Sequence, residues 1–374
     1  MSKKLKVMTI IGTRPEIIRL SEVIKACDKY FEHTLVHTGQ NFDYELNQIF
    51  FKELGLRAPD HYLECVGKNL GETMGNIIAK SYDLITKLKP EAILILGDTN
   101  SALSAISAKR LKVPIFHMEA GNRCWDWNVS EMVNRTIVDH ISDINLPYTE
   151  HSRRYLLSEG VDGKTIFVTG SPMLEILSAH KDKIEKSDVL ERLGLLKGKY
   201  IIVSAHREEN VDIEDNFVEL INSINKIAET YKVPIIFSTH PRTKNIIAKR
   251  DAKLHPLVQN HKPFGFFEYV KLQQNALVVL SDSGTLTEES NILHFPAVSI
   301  RTSTERPEGL DDGSIIIGVI KEKDVLEATA LAIASKDEPF ELSNQYRDKN
   351  VAIKVVKIIQ GYTSIVNQNV WLKK

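Results

Sequence analysis

Short, continuously apolar runs that stop at a charged turn set the tightest limit on what this chain can fold into. "KVMTIIG", "HTLVHT", "AILILGD", "VPIFHME", "DINLPY" and "TIFVTG" follow one another through the first half. Amphipathic patterns near residues 15–28, 43–54, 71–88, 101–110, 130–141 and 151–159 lie between them. A strand apolar on both faces must be covered on both, and helical connections between such strands imply a parallel sheet. The charged stretch "HKDKIEKSDVLERLG" breaks this rhythm, which then restarts with "YIIVSAH", "VPIIFSTH", "LVVLSDSG", "PAVSI" and "SIIIGV" and with helical patterns near 213–230, 284–293 and 322–335. The reading is α/β: two Rossmann-like, doubly wound domains facing a cleft, one over residues 1–170 and one over 171–350. A terminal helix over 351–374 can pack on either domain, and a return to the first is the expectation.

Composition narrows the function. Net charge is −1 over 374 residues, with 26% charged and 43% hydrophobic residues, so a nucleic-acid or membrane-surface partner has no electrostatic support. Small anions remain possible ligands, because local charge decides those. Cys27, Cys65 and Cys124 form no even disulfide framework, which favours a reducing cytoplasm. The start "MSKKLKVMTIIGTRPE" lacks a long apolar segment and a cleavage site and reads as a first strand. No apolar run approaches membrane-spanning length.

In a doubly wound sheet, ligands bind beyond the carboxyl ends of the strands. Arg14, His37, Asp98, His117 and Glu119 fall there in the first half, and His206, His240, Arg242, Asp282 and Ser283 in the second. Arg14 sits where a helix begins at Pro15, a place that attracts anions; Arg14 and Arg19 as ordinary surface charges is the competing reading. "SDSGTLTEES" offers a phosphate the hydroxyl of Ser283 and backbone N–H groups from Gly284 onward, with Glu289 placed for a ribose diol. The same residues also make good helix-capping chemistry. Arg301 and Arg306 in "RTSTERPEGL" supply guanidinium groups after another strand or else line a solvated loop. No G-x-G-x-x-G follows the first strand and no H-E-x-x-H is present, so neither a nicotinamide cofactor nor a metal is expected. His206, set in "AHREEN", is the histidine with the most charge around it. In "FHMEAGNRCWDWNVSEMVNR", Glu119 and Glu131 bracket a loop with Trp125 and Trp127, which pack or shield a reaction from water.

Taken in order, "GTRPE", "LGDTNSAL", "HMEAGNR", "AHREEN", "SDSGTLTEE" and "TERPE" resemble the non-hydrolysing UDP-N-acetylglucosamine 2-epimerase family across nearly the whole chain. The resemblance implies the two-domain GT-B-type fold, with UDP held mainly by the second domain. It implies inversion of C2 of a UDP-2-acetamido sugar by elimination and re-addition of UDP, with no cofactor and no metal. Acids of the family match Asp98, Glu119 and Glu131, and a histidine matches His206, as the catalytic set. Arg14, Arg19, Arg123, Arg135, His240, Ser283, Gly284, Glu289 and Arg306 are the expected substrate-binding set, with Arg19 standing where the family usually has lysine. The expected partners are a UDP-sugar and a second copy of the chain in a homodimer, with no nucleic acid and no membrane. "EAGNRCWDWNVSEMVNR" and "SAHREENVD" look like the branch called UDP-N-acetyl-L-fucosamine synthases. That branch converts UDP-2-acetamido-2,6-dideoxy-L-talose for capsule or O-antigen building. The alternatives are the common UDP-N-acetylglucosamine to UDP-N-acetylmannosamine 2-epimerase, a GT-B glycosyltransferase and a non-catalytic nucleotide-sugar sensor. Asn41 stands where the family commonly has histidine, which counts against the second, regulatory substrate site of some members.

Overall fold

The computed structural model describes residues 3–39, 44–239 and 241–373, which leaves His240 and Asn41 outside the described residues. The chain divides into two compact units, one of residues 1–179 with 347–374 and one of residues 180–346.

The first unit holds six parallel strands: β1 (Lys6–Ile11), β2 (Glu32–His37), β3 (His61–Tyr62), β4 (Ala92–Leu96), β5 (Ile115–Met118) and β6 (Ile144–Leu146), in the order β3-β2-β1-β4-β5-β6. β1 is central, in register with β2 from Lys6 opposite Glu32 and with β4 from Val7 opposite Ala92. Met8, Ile10, Val36, Ile93, Ile95 and Ile115 share one buried layer with Ala105, Ala108 and Val138 from covering helices. The helix Arg14–Tyr30 shows why the connections are helical. Ile17, Leu20, Val23, Ile24 and Cys27 recur at helical spacing and are buried, Glu16 lies in the first turn and Lys29 in the last.

The second unit repeats the plan with β7 (Ile201–Ser204), β8 (Ile235–Ser238), β9 (Val258–His261), β10 (Val278–Ser281), β11 (Ala297–Ser299) and β12 (Ile316–Ile317), in the order β12-β11-β10-β7-β8-β9. Ile201, Val203, Ile235, Phe237, Val278 and Leu280 pack on one face, while Ile202, Ile236 and Val279 pack on the other. Strand alternation thus feeds two helical layers at once, which is why these strands read as unbroken apolar runs. Both units have the doubly wound order in which the strand sequence reverses beside the first strand, β1/β4 and β7/β10.

One expected strand is absent. "TIFVTG" forms only an isolated bridge, Asn145 with Ile166, next to the short 3₁₀ turn Gly163–Thr165. Its neighbour β6 is three residues long and offers little ladder to pair with.

Candidate functional site

In the first unit, the carboxyl ends of β1, β4 and β5 bring together two carboxylate–guanidinium pairs. Glu119 follows β5 with a left-handed backbone, φ +60°, a conformation few non-glycine residues adopt. That geometry aims its side chain at Arg19, whose Nη1 lies 2.6 Å from Oε2, and Asn122 Nδ2 donates to Oε1 at 3.2 Å. Arg19 is itself buried and its guanidinium carbon lies 5.7 Å from the ring centre of Tyr148. The Glu119 carboxylate also lies close to Gly97, 3.9 Å from where a Cβ would stand there, so it neighbours the turn that carries Asp98. Asp98 is gripped by Arg135, at 2.6 Å to Nη2 and 2.7 Å to Nε, while Asn134 donates to its backbone carbonyl at 2.9 Å. Glu131 opens the helix Glu131–Ile141 and stands one turn before Arg135, on the same helical face.

The other expected binding residues have different surroundings. Arg14 is half-buried, with its guanidinium carbon 5.9 Å from the ring centre of Phe50. Arg123 turns into the protein interior. It is 1% exposed and bonds Glu159 through Nε and Nη2 and Asp139 through Nη1, each at 2.7 Å. Asp139 also lies 3.0 Å from His117 and accepts from Gly121 N–H. Burial works to raise the Asp139 carboxyl, but His117 and Arg123 hold it below the ordinary value. This network anchors the start of the tryptophan loop. Trp125 and Trp127 stay 57% and 64% exposed, with Trp125 meeting Tyr155 edge-on at 5.6 Å.

Of the buried polar residues at the first unit's strand ends, His37 was expected there and Glu16 was not legible as a site residue. Glu16 is 1% exposed and accepts from Gly12 N–H, from the Thr13 hydroxyl and from the Ser101 hydroxyl. It therefore ties the turn after β1 to the turn after β4, and burial pushes its carboxyl up to about 7. The signal was the fifth letter of "GTRPE", which looks like an ordinary first-turn acid. His37 is also buried, and burial pushes it down to about 4.

In the second unit, the turn after β10 meets the loop after β11. Ser283 N–H bonds Ser281 Oγ at 3.1 Å, and the Ser283 and Thr285 hydroxyls lie 3.0 Å apart where the helix Thr285–Leu293 begins. A Cβ at Gly284 would stand 3.8 Å from both Arg306 Nε and Glu305 Oε2, so the loop's charged groups lie beside this turn. Arg306 is buried against Glu288 at 2.5 Å, and Arg301 against Glu305 at 2.5 Å. Glu289 is buried and accepts from Gln273 Nε2 at 2.7 Å. After β7, His206 is 49% exposed, with Nδ1 3.0 Å from Asp282 Oδ1. Asp282, fully buried at the end of β10, accepts from the backbone N–H of His206 and Arg207 at 2.8 and 2.9 Å. Burial alone would raise its carboxyl, yet the His206 side chain and these N–H groups outweigh it and hold it down to about 2. Among the described residues, no three His, Cys, Asp or Glu side chains converge as metal ligands would. No helix there is long and apolar enough to cross a membrane.

Each unit thus presents one kind of chemistry. The first holds carboxylates oriented by arginines, able to take and return protons. The second holds a helix N-terminus with hydroxyls and guanidinium groups, suited to phosphate, beside an acid-supported imidazole. The sequence profile described as UDP-N-acetylglucosamine 2-epimerase matches residues 25–360. A protein of Methanococcus maripaludis named UDP-N-acetylglucosamine 2-epimerase homolog is 35% identical, over 96% of this chain and all of the relative. The solved UDP-N-acetylglucosamine 2-epimerase of Rickettsia bellii superposes with a TM-score of 0.91 at 45% identity, over 99% of this chain and 100% of that one. The Methanocaldococcus jannaschii enzyme, solved in complex with UDP-GlcNAc and UDP, gives 0.89 at 31% identity, over 95% and 99%. With that match in sequence and in fold, the chain belongs to the UDP-N-acetylglucosamine 2-epimerase family of isomerases.

Proposed function

We propose that the chain interconverts UDP-N-acetylglucosamine and UDP-N-acetylmannosamine by inverting C2 through elimination and re-addition of UDP. The observation that carries this is the pairing of Glu119 with Arg19 and of Asp98 with Arg135 at neighbouring strand ends, with Glu131 one turn from Arg135. Inversion without redox chemistry needs a group to remove the C2 proton on one face and a group to return it on the other. Arginine-held carboxylates are fixed in direction and so meet a sugar carbon at a defined angle. No carbonyl acidifies that proton, so departure of the diphosphate leads. The turn Ser283–Gly284, the helix behind it and Arg306 stabilise the charge on the leaving group. Glu289 takes the ribose diol. The unsaturated sugar must be kept from water until UDP returns, a task we give to the tryptophan loop. The names of similar proteins support this substrate pair.

A second reading rests on the same loop. Trp125 and Trp127 are exposed large apolar groups, and a C6 methyl favours such neighbours where a C6 hydroxyl wants a hydrogen-bond partner. UDP-2-acetamido-2,6-dideoxy-L-talose, giving UDP-N-acetyl-L-fucosamine, is then the substrate. One methyl-sized contact discriminates by about 1–3 kcal/mol, so each sugar is expected to show some turnover.

Incubation with each UDP-sugar in D2O, followed by NMR of the anomeric signals, tests both readings. The expected result is product labelled at C2, with the higher kcat/KM for UDP-N-acetylglucosamine. A higher value for the L-talose derivative selects the second reading, and unlabelled product at equilibrium refutes the mechanism. Asp98→Asn, Glu119→Gln and Glu131→Gln are each expected to lower kcat by about 10²–10⁴ with UDP affinity little changed. Near-normal turnover in all three would remove them from the chemistry.

A further inference from the structure

Asp282 uses its two oxygens differently. Oδ2 accepts the backbone N–H of His206 and Arg207 and the Asn210 side-chain amide at 3.1 Å, and so builds the turn that carries the histidine. Oδ1 is buried and accepts no hydrogen bond among the described residues, and His206 Nδ1 stands 3.0 Å from it as an ion-pair contact. The carboxylate is fully buried, whereas the imidazole is half exposed. An ionised carboxylate is only an acceptor, so the nitrogen facing it carries the hydrogen.

We propose that Asp282 is a positioning residue which fixes His206 as the Nδ1–H tautomer and makes Nε2 the nitrogen that gains and loses a proton. The backbone contacts hold the imidazole's base in place, and the 3.0 Å approach of Nδ1 to the otherwise unsatisfied Oδ1 sets which ring nitrogen faces the carboxylate. When His206 is charged, Asp282 compensates the imidazolium from the protein side, and Nε2–H is the donor offered to a ligand oxygen. The step this serves rests on the proposed epimerisation. As the C1–O bond breaks, its electron pair goes to the diphosphate oxygen, and Nε2–H donates to that oxygen. On re-addition the oxygen returns its electron pair to C1 and Nε2 keeps its proton. The tautomer itself does not depend on the reaction.

The substitution Asp282→Asn separates the two uses. The three donors on Oδ2 require an acceptor, so the asparagine carbonyl goes there and its NH₂ group faces Nδ1. The turn is kept and the tautomer reverses. In triad hydrolases a reversal of this kind lowers kcat by about 10⁴ with geometry intact. The experiment uses the full chain labelled with ¹⁵N. Two-bond ¹H–¹⁵N correlation spectra at alkaline pH give the tautomer, with His206 assigned from His206→Gln. The expected wild-type spectrum has the proton on Nδ1. Asp282→Asn should move it to Nε2, lower kcat by about 10²–10⁴ and leave UDP affinity within about twofold. A wild-type proton on Nε2, or wild-type turnover in a folded Asp282→Asn, overturns the proposal. Should Asp282→Asn fail to fold, the wild-type spectrum decides alone. A wild-type chain with no turnover on any UDP-N-acetylhexosamine counts against the proposed reaction, and the spectrum still decides this inference.

Discussion

At the residue scale, the acids of the candidate site show what a sequence can and cannot disclose. Asp98 and Glu119 were legible because an apolar run ends at each, and such ends lie along one rim of a parallel sheet. Their partners were not legible. Arg19 and Glu119 are a hundred positions apart and meet only because β1, β4 and β5 are side by side. Nor was burial, which turns Glu16 from a helix-start acid into a proton-binding group. Glu16 gives a pH prediction. Its folded carboxyl titrates at about 7 against an ordinary 4.5, so the native state holds the proton more tightly than the unfolded chain. The contribution is fully present below about pH 4.5 and is lost as pH rises through 7. Relative to Glu16→Gln, the wild-type protein should lose on the order of 3 kcal/mol between pH 4.5 and pH 8. Urea unfolding of both proteins at the two pH values checks this. A difference that stays constant with pH would mean that Glu16 is not titrating in this range.

At the scale of elements, legibility followed apolarity. The central strands were read because they are apolar on both faces. The edge strands β3 (His61–Tyr62) and β9 (Val258–His261) were missed because they are short, half-exposed and polar. The helices Pro241–Lys249 and Phe266–Asn275 were missed as well; at 9 and 10 residues they offer few turns over which a helical spacing can repeat. "TIFVTG" erred the other way, since an apolar run that meets its neighbour at a single bridge makes no strand. The turn after β5 was legible as a strand end but not as a construction. Gly121 has φ +81°, and a Cβ there would run into the carbonyl oxygen of Ser152. Gly121→Ala therefore combines left-handed strain with a backbone clash and should cost about 2–4 kcal/mol. Because this turn joins Glu119 to Arg123, turnover should fall with stability. Thermal unfolding together with assay at a permissive temperature checks the pair of effects, and a variant as stable as the parent would contradict the geometry.

At the scale of the whole molecule, both ends of the chain belong to one unit. The helix Val351–Asn369 packs on the helix Arg14–Tyr30. The Ala352 N–H bonds Glu175 at 2.9 Å, Lys354 reaches the Thr169 carbonyl at 3.1 Å, and Tyr362 lies 4.7 Å from Phe167. Val351, Val355, Val356, Ile359 and Val366 are buried. Their burial is worth on the order of 10 kcal/mol, as much as the net stability of a typical domain. Removal of residues 347–374 should unfold the first unit and spare the second, and limited proteolysis should return a resistant fragment close to residues 180–346. A resistant fragment over residues 1–179 would show that the helix is dispensable. The same layout sets an order of events during synthesis. The ribosome delivers the second unit in one uninterrupted stretch, so its core closes while the first unit, begun earlier, still waits for its last helix. The nascent chain therefore leaves the face of the helix Arg14–Tyr30 uncovered, with apolar surface in need of a chaperone, until residues 351–369 emerge. A nonsense mutation that removes residues 347–374 is then expected to be as damaging as one near the start.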